Sequence, residues 1–376
     1  MKSVTEAIFI HSLFRSGSTY IFDVFRRSSP VYWCYQEPLN EFLVSAGLEP
    51  EKLLEESGEI QTYLRHPKLE KPYFYEFYAI ADKLKTSFRE GFSYEQYFFP
   101  NAQEKKDFIQ YFSLLIEASE KKQAVFQCCR TTGRVELLQQ ALGGIHIFLC
   151  RNPWDQWWSY KTSTYFDVRN IAILNAKERP SFLKALAKDL NLPYFYTTKS
   201  FQEYSFIVKN RHWLGSESSY KLFYALWCHA MLEALPYCDL SLDIDKLSYS
   251  NSYRTDITKQ LAELGIAGLD FSKCSIPSIN YTQHDSNFFL KIETYIHDLL
   301  LFHGYSHDQV DTLVLLSKAR LSSVVDDGNE VDDIARARLP LLQLETELPT
   351  GLNLITGIDI GLIKECIKML INRYLY

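Results

Sequence analysis

The stretch that decides the fold is "AIFIHSLFRSGSTYIFDVFRRS", residues 7–28. Its opening "AIFIHS" is a continuous apolar run of strand length, and "TYIFDVFRRS" spaces its apolar residues at helical intervals before ending in basic ones. A strand, a short polar loop and a helix make the first half of a βαβ unit. The turn of such a unit exposes backbone N–H groups at the positive end of the helix, which draws phosphate or sulfate. Here Gly17 lets the backbone approach an anion, Ser16, Ser18 and Thr19 offer hydroxyls, and Arg15 brings a charge able to follow a leaving group. The same residues also suit a plain helix start capped by Ser or Thr. The loop lacks the Gly-Lys-Ser/Thr ending of a nucleotide-hydrolysing loop.

Two further runs repeat the pattern. "AVFQCC" (124–129) leads to "RTTGR", and "VELLQQAL" (135–142) reads as a helix stopped by Gly143 and Gly144. "IHIFLC" (145–150) ends in a polar loop and the helix "RNPWDQWWSYK". Strands this apolar on both faces belong to a buried parallel sheet, and their alternation with helices makes the chain α/β. Ligands of such sheets bind at the carboxyl ends of the strands, where Arg15–Thr19, Arg130–Arg134 and Arg151–Asp155 converge.

Beyond these runs, "SYKLFYALWCHAMLEALPYC" (219–238) predicts a long helix, "DLSLDIDKL" (239–247) a strand, and "RTDITKQLAELGI" (254–266) another helix. Residues 43–123 and 162–218 break the rhythm with aromatic, charged stretches such as "KPYFYEFY" and "NLPYFYTTKSFQEYSF". They are insertions that either shape a substrate cleft or merely cap the sheet. From about residue 288 the pattern is helical, interrupted by the acidic "VVDDGNEVDD" (324–333), a solvated loop. No repeat, low-complexity tract or linker divides the chain. The expectation is one domain over 1–376, with a core at 5–40 and 124–270, the two insertions, and a helical C-terminal extension over 288–376.

Composition narrows the function classes. A hydrophobic fraction of 47% covers a sizeable core, and a net charge of -6 argues against a nonspecific grip on nucleic acid or an anionic membrane. No apolar run reaches the length of about 18 residues that a spanning helix needs. The first strand starts so near Met1 that no signal peptide fits before it, so the expected location is the cytoplasm. The eight cysteines form no C-x-x-C pair and read as buried free thiols, and the nine histidines lack ligand spacing, so no metal site is expected.

A second motif changes the weight of the first. "RNPWDQWWSY" places Arg151 at a strand end and Ser159 two helical turns on, a spacing that grips one phosphate from two sides. Pro153 and Asp155 also suit an ordinary first turn. Together the two motifs resemble the sulfotransferase superfamily, whose donor is 3'-phosphoadenosine 5'-phosphosulfate (PAPS). In that family a K/R-S/T-G-S/T-T loop after the first strand cradles the phosphosulfate, and an R-N/D-P-x-D-x-x-x-S-Y segment binds the 3'-phosphate. Here these are Arg15-Ser16-Gly17-Ser18-Thr19, followed by Tyr20, and Arg151 to Ser159-Tyr160. The resemblance covers roughly 5–40 and 124–270, with "YALWCHAMLEA" and "LSLDIDKL" matching a later helix and strand, and it implies a P-loop NTPase-like three-layer α/β fold with a central parallel sheet. The family's glycine-rich C-terminal nucleotide loop is missing.

The resemblance implies in-line transfer of a sulfuryl group from PAPS to an acceptor hydroxyl, of a carbohydrate or glycolipid or another small molecule, with 3'-phosphoadenosine 5'-phosphate (PAP) as product and no essential metal. It implies that Arg15 stabilises the departing phosphate, and that a base takes the acceptor proton. Cytosolic members use a His in a K-x-H segment. In the matching "RTT", Arg130 answers the basic residue and Thr132 stands in the place of the His. Other members use a Glu shortly after the first helix, and "VYWCYQEPLNEF" offers Glu37, with Glu41 in reserve. Glu37 is either that base or a structural carboxylate paired with Arg130 or Arg134.

Arg130, Thr132 and Arg134 are the expected support for substrate. His11 is expected in the core, Asp243 and Asp245 under the donor loops, and Trp154, Trp157 and Trp158 either on an adenine or sugar or in the core. The rival readings are a P-loop kinase or NTPase, and a nucleotide-binding module without turnover.

Overall fold

A computed structural model of the chain describes residues 6–28, 30–55, 69–98, 101–161, 163, 165–192, 214–276, 279 and 281–325. Five strands, β1 (Ile8–His11), β2 (Tyr32–Gln36), β3 (Gln123–Cys128), β4 (Ile145–Cys150) and β5 (Leu240–Asp243), form one sheet in the order β2-β3-β1-β4-β5. Every pairing is parallel, with Phe9 opposite both Phe126 and His146. The order is neither the dinucleotide-binding nor the flavodoxin-like one.

Alternate residues of these strands feed different layers. Ile8, Ile10, Cys34, Val125, Ile147 and Leu149 pack with α1 (Ser18–Ser28) and α11 (Asn251–Glu263). On the other face Phe9, Tyr35 and Phe126 pack with Phe108, Phe112 and Leu138. The rings of Tyr35 and Phe126 stack at 5.4 Å and those of Phe9 and Phe126 at 5.1 Å. Burial on both faces explains why these strands read as unbroken apolar runs.

The remaining helices follow chain order: α2 (Phe42–Leu48), α3 (Ala81–Ser87), α4 (Ala102–Ala118), α5 (Val135–Leu142), α6 (Pro153–Tyr160), α7 (Tyr165–Leu174), α8 (Ser181–Asp189), α9 (Ser216–His229), α10 (Ile244–Tyr249), α12 (Gln283–Phe302) and α13 (His307–Val325). In α4, Asn101 and Glu104 form a capping box, and Phe108, Tyr111, Phe112 and Leu115 are buried. This part of the first insertion is therefore the crossover layer between β2 and β3. "KPYFYEFY" also serves the sheet, since Phe77 packs on Tyr35. Most of "NLPYFYTTKSFQEYSF", and everything after Val325, lies outside the described residues.

Several expectations are corrected. Residues 32–36, to which the sequence pattern assigns no element, form an edge strand. The strand expected over 239–247 stops at Asp243, because the Asp243 carboxylate accepts the Lys246 N–H at 3.2 Å and starts α10. The helix expected over 219–238 ends at His229 and continues as a π turn over Ala230–Ala234 and a 3₁₀ turn over Leu235–Tyr237. Among the described residues no helix is long and apolar enough to cross a membrane. The seven described cysteines are all free, with only Cys238 partly exposed.

Candidate anion and acceptor site

The crossover from β1 leads to β2 on one side, and that from β4 leads to β5 on the other. The carboxyl ends of the adjacent strands β1 and β4 therefore flank the switch point of the sheet, where crevices form in α/β proteins. Both motif loops lie there. Gln156 Nε2 donates to the Phe14 carbonyl at 2.7 Å, Arg151 donates to the Arg15 carbonyl at 3.1 Å, and Arg15 Nε donates to Ser159 Oγ at 2.9 Å. Two stretches far apart in sequence thus form one basic rim.

The loop after β1 is tightly determined. Gly17 has φ +80, and a Cβ there would meet Ile244 Cγ2 at 2.9 Å, so only glycine suits the turn. Arg15, at φ 63, holds a left-handed conformation that costs about 1–2 kcal/mol in a residue with a Cβ. The Ser16 hydroxyl donates to the Leu13 carbonyl at 2.9 Å and serves the loop itself. Ser18 opens α1 with its hydroxyl 3.4 Å from Cys129 Sγ, a sulfur that also meets Ser12 Oγ at 3.3 Å. Thr19 is buried in the first turn of α1, and the Tyr20 hydroxyl is buried without a hydrogen-bond partner among the described residues.

On the Arg151 side of the rim, Asn152 accepts the Trp154 N–H at 2.9 Å and caps α6, with Pro153 in its first turn. Asp245 holds this loop, accepting the Asn152 N–H at 2.6 Å and Arg151 Nε at 3.4 Å. Asp155 is buried beside them and accepts the Tyr281 hydroxyl. The three tryptophans belong to the core: Trp154 stacks on Phe289, Trp157 Nε1 donates to Ser219 at 3.0 Å, and Trp158 is buried. None of these three rings has an open face for an adenine.

At the β2 and β3 ends a second cluster forms. Glu37 sits at φ 49, again left-handed, with its N–H on the Gln127 carbonyl at 2.7 Å. Its carboxylate accepts the Cys129 N–H at 3.0 Å and pairs with Arg130, whose side chain is 1% exposed. Arg130 also donates to Glu41 at 2.9 Å and to the Tyr94 hydroxyl at 2.8 and 3.1 Å. Glu41 in turn accepts from Arg169 at 3.0 Å. One buried carboxylate, Glu37, and one partly buried, Glu41, thus face two guanidiniums, a set that neutralises itself. Burial pushes the Glu41 carboxyl up, but Arg130 and Arg169 outweigh it and hold the group below its usual range. Burial opposes the charge of Arg130, and Tyr94, Glu41 and Glu37 together overcome that and raise it well above the usual value.

Thr132 and Arg134 are turned elsewhere. Thr132 shares a 2.6 Å hydrogen bond with the Tyr97 hydroxyl, and Arg134 spends its guanidinium on the carbonyls of Phe92, Gln96 and Arg130. Burial lowers Arg134 to about 10. His11 is buried, with Nδ1 on Thr131 Oγ1 at 2.8 Å and Nε2 on His146 Nδ1 at 2.9 Å. Burial first, and His146 second, hold it well below its usual value, so it is a neutral core residue.

Tyr94 and Arg169 were not visible as site residues in the sequence. Each comes from an insertion, and the only local signal is Arg169 itself, a lone cation in the buried face of "YFDVRNIAIL". No protein-family model matches this chain, and no curated protein matches it either.

Proposed function

We propose that the chain is a PAPS-dependent sulfotransferase of the P-loop type. The observation that carries this reading is the joining of the two motif loops at the switch point, through Arg15 with Ser159 and Arg151 with the Arg15 carbonyl. A donor with a phosphosulfate at one end and a 3'-phosphate near the other needs two anion grips at a fixed separation, and the resemblance assigns one to each loop. Arg15 and the loop through Thr19 take the phosphosulfate, with Tyr20 following, and Arg151 with Ser159 takes the 3'-phosphate. Glu37, on the rim beyond β1, accepts the proton of an acceptor hydroxyl, and Arg130 orients it or supports the transferring group. The lack of a Gly-Lys-Ser/Thr ending speaks against an ATP-dependent kinase.

Calorimetric titration with PAP tests the donor site: binding is expected, and Arg151→Ala should weaken it at least tenfold. A protein that binds no PAP, with Arg151→Ala indistinguishable from wild type, sinks the reading. A radiolabelled-PAPS screen over carbohydrate, glycolipid, phenol and peptide hydroxyls then identifies the acceptor. One observation favours a binding module without turnover: both Glu37 carboxylate oxygens already have partners in Cys129 and Arg130. Loss of transfer in Glu37→Gln, with PAP affinity retained, separates the enzyme from the module.

A further inference from the structure

We propose that the Arg151 side of this site takes its phosphate together with a proton, and that Asp155 carries the proton. The inference rests on the reading of Arg151 as a seat for a phosphomonoester.

One guanidinium serves two buried carboxyls here. Arg151 reaches Asp245 through Nε at 3.4 Å, and the side chains of both are less than a tenth exposed. Asp155, in the first turn of α6, is 2% exposed. The groups that face it are Asp245 from α10, Arg151 from the end of β4 and Tyr281 from the segment before α12. A dianionic phosphate brought to Arg151 sets two further negative charges beside this pair, and neutralising one carboxyl is the cheapest relief.

The geometry says which carboxyl. Both Asp245 oxygens accept from N–H donors, the Arg151 Nε and the Asn152 backbone, and such donors favour the ionised form. Asp155 has only the Tyr281 hydroxyl on Oδ1, while Oδ2 is buried with no hydrogen-bond partner among the described residues. A proton on Oδ2 breaks nothing. Burial, and then the Asp245 charge, already raise Asp155 to about 7 against the pull of Arg151, so the proton is within reach of ordinary pH. The proton comes from the buffer, and no covalent bond of the nucleotide changes.

The test is calorimetry of PAP binding to the full chain at pH 8, in two buffers of different ionisation enthalpy. Phosphate monoesters have a second pKa of about 6, so the ligand enters as a full anion and uptake reports on the protein. The expected uptake is close to one proton per PAP, with affinity falling up to about tenfold per pH unit above that. Asp155→Asn should abolish the uptake, whatever it does to the affinity. Binding by the wild type without uptake overturns the inference and needs no variant to see; so does uptake that persists in Asp155→Asn. Absence of PAP binding at every pH from 6 to 8.5 overturns instead the nucleotide reading beneath it.

Discussion

The guanidinium of Arg15 donates to the hydroxyl of Ser159 at 2.9 Å, across 144 residues of chain. The two residues belong to separate motifs, assigned to opposite ends of one donor, yet they touch. Arg15 is further placed by the Phe166 ring, 5.5 Å from its guanidinium carbon. On the proposed reading, the arginine assigned to the leaving phosphate is thereby held by the helix assigned to the 3'-phosphate.

That contact makes the two grips interdependent. Ser159→Ala and Arg15→Ala should each weaken PAP binding, and the double variant should differ from the sum of the two by about 0.5–3 kcal/mol, the range for side chains in contact. Calorimetry on the four proteins reads the coupling. Strict additivity would mean that the loops act separately.

Gly17 is the pivot of the loop after β1. Gly17→Ala must hold φ +80 with a Cβ and push it against Ile244, so a stability loss of about 1–2 kcal/mol is expected, with weakened PAP binding. Adding Ile244→Ala should relieve the clash and leave the backbone strain. If Gly17→Ala unfolds at the same denaturant concentration as wild type, the loop is looser than described.

Glu41 is the counter-ion shared by Arg130 and Arg169. Glu41→Gln leaves buried cations short of an anion, and breaking such a pair costs about 3–5 kcal/mol. The sign with pH follows from a carboxyl held below its usual range: its stabilisation is present above the unfolded-state value and fades as pH falls through the folded one. The gap between wild type and Glu41→Gln should therefore be widest near neutral pH and close in acid. Urea unfolding at pH 7 and pH 3.5 measures it, and a gap that widens in acid contradicts the assignment.

Glu293 behaves in the opposite sense. It accepts from Trp154 Nε1 at 2.6 Å and from the Tyr220 hydroxyl at 2.7 Å, and burial pushes it up to about 7. A folded-state value above the unfolded one means that its cost is absent below about pH 4 and full above about pH 7. Glu293→Gln keeps an acceptor oxygen and removes the charge. It should match wild type at pH 4 and be more stable at pH 8, by up to about 3 kcal/mol on the scale of 1.36 kcal/mol per unit. A variant less stable at pH 8 than at pH 4, relative to wild type, would falsify this account.

How much of this was legible before the fold was known depends on the range over which each feature acts. β1, β3 and β4, with the helices that follow β1, β3 and β4, were readable because an apolar run and a helical period are properties of neighbours in sequence. The end of β5 was misjudged because "DIDKL" continues the apolar alternation, while the Asp243 cap that stops the strand is one hydrogen bond. β2 was masked by its own aromatic run, and α4 by lying within a stretch read as an insertion.

Local patterning alone was enough to specify an α/β chain, the glycine-bearing turn after β1, and the capped start of α6, since each is settled within a few residues by sterics and backbone hydrogen bonding. Strand order is not a local property. Only the tertiary arrangement set β1 beside β4, so that Arg15 meets Ser159 and Arg151, and brought Tyr94 onto Arg130 and Arg169 onto Glu41, the carboxylate it shares with Arg130. It also turned the three tryptophans inward, because burying large rings against Phe289 and Tyr220 removes more apolar surface from water than a place on the rim would.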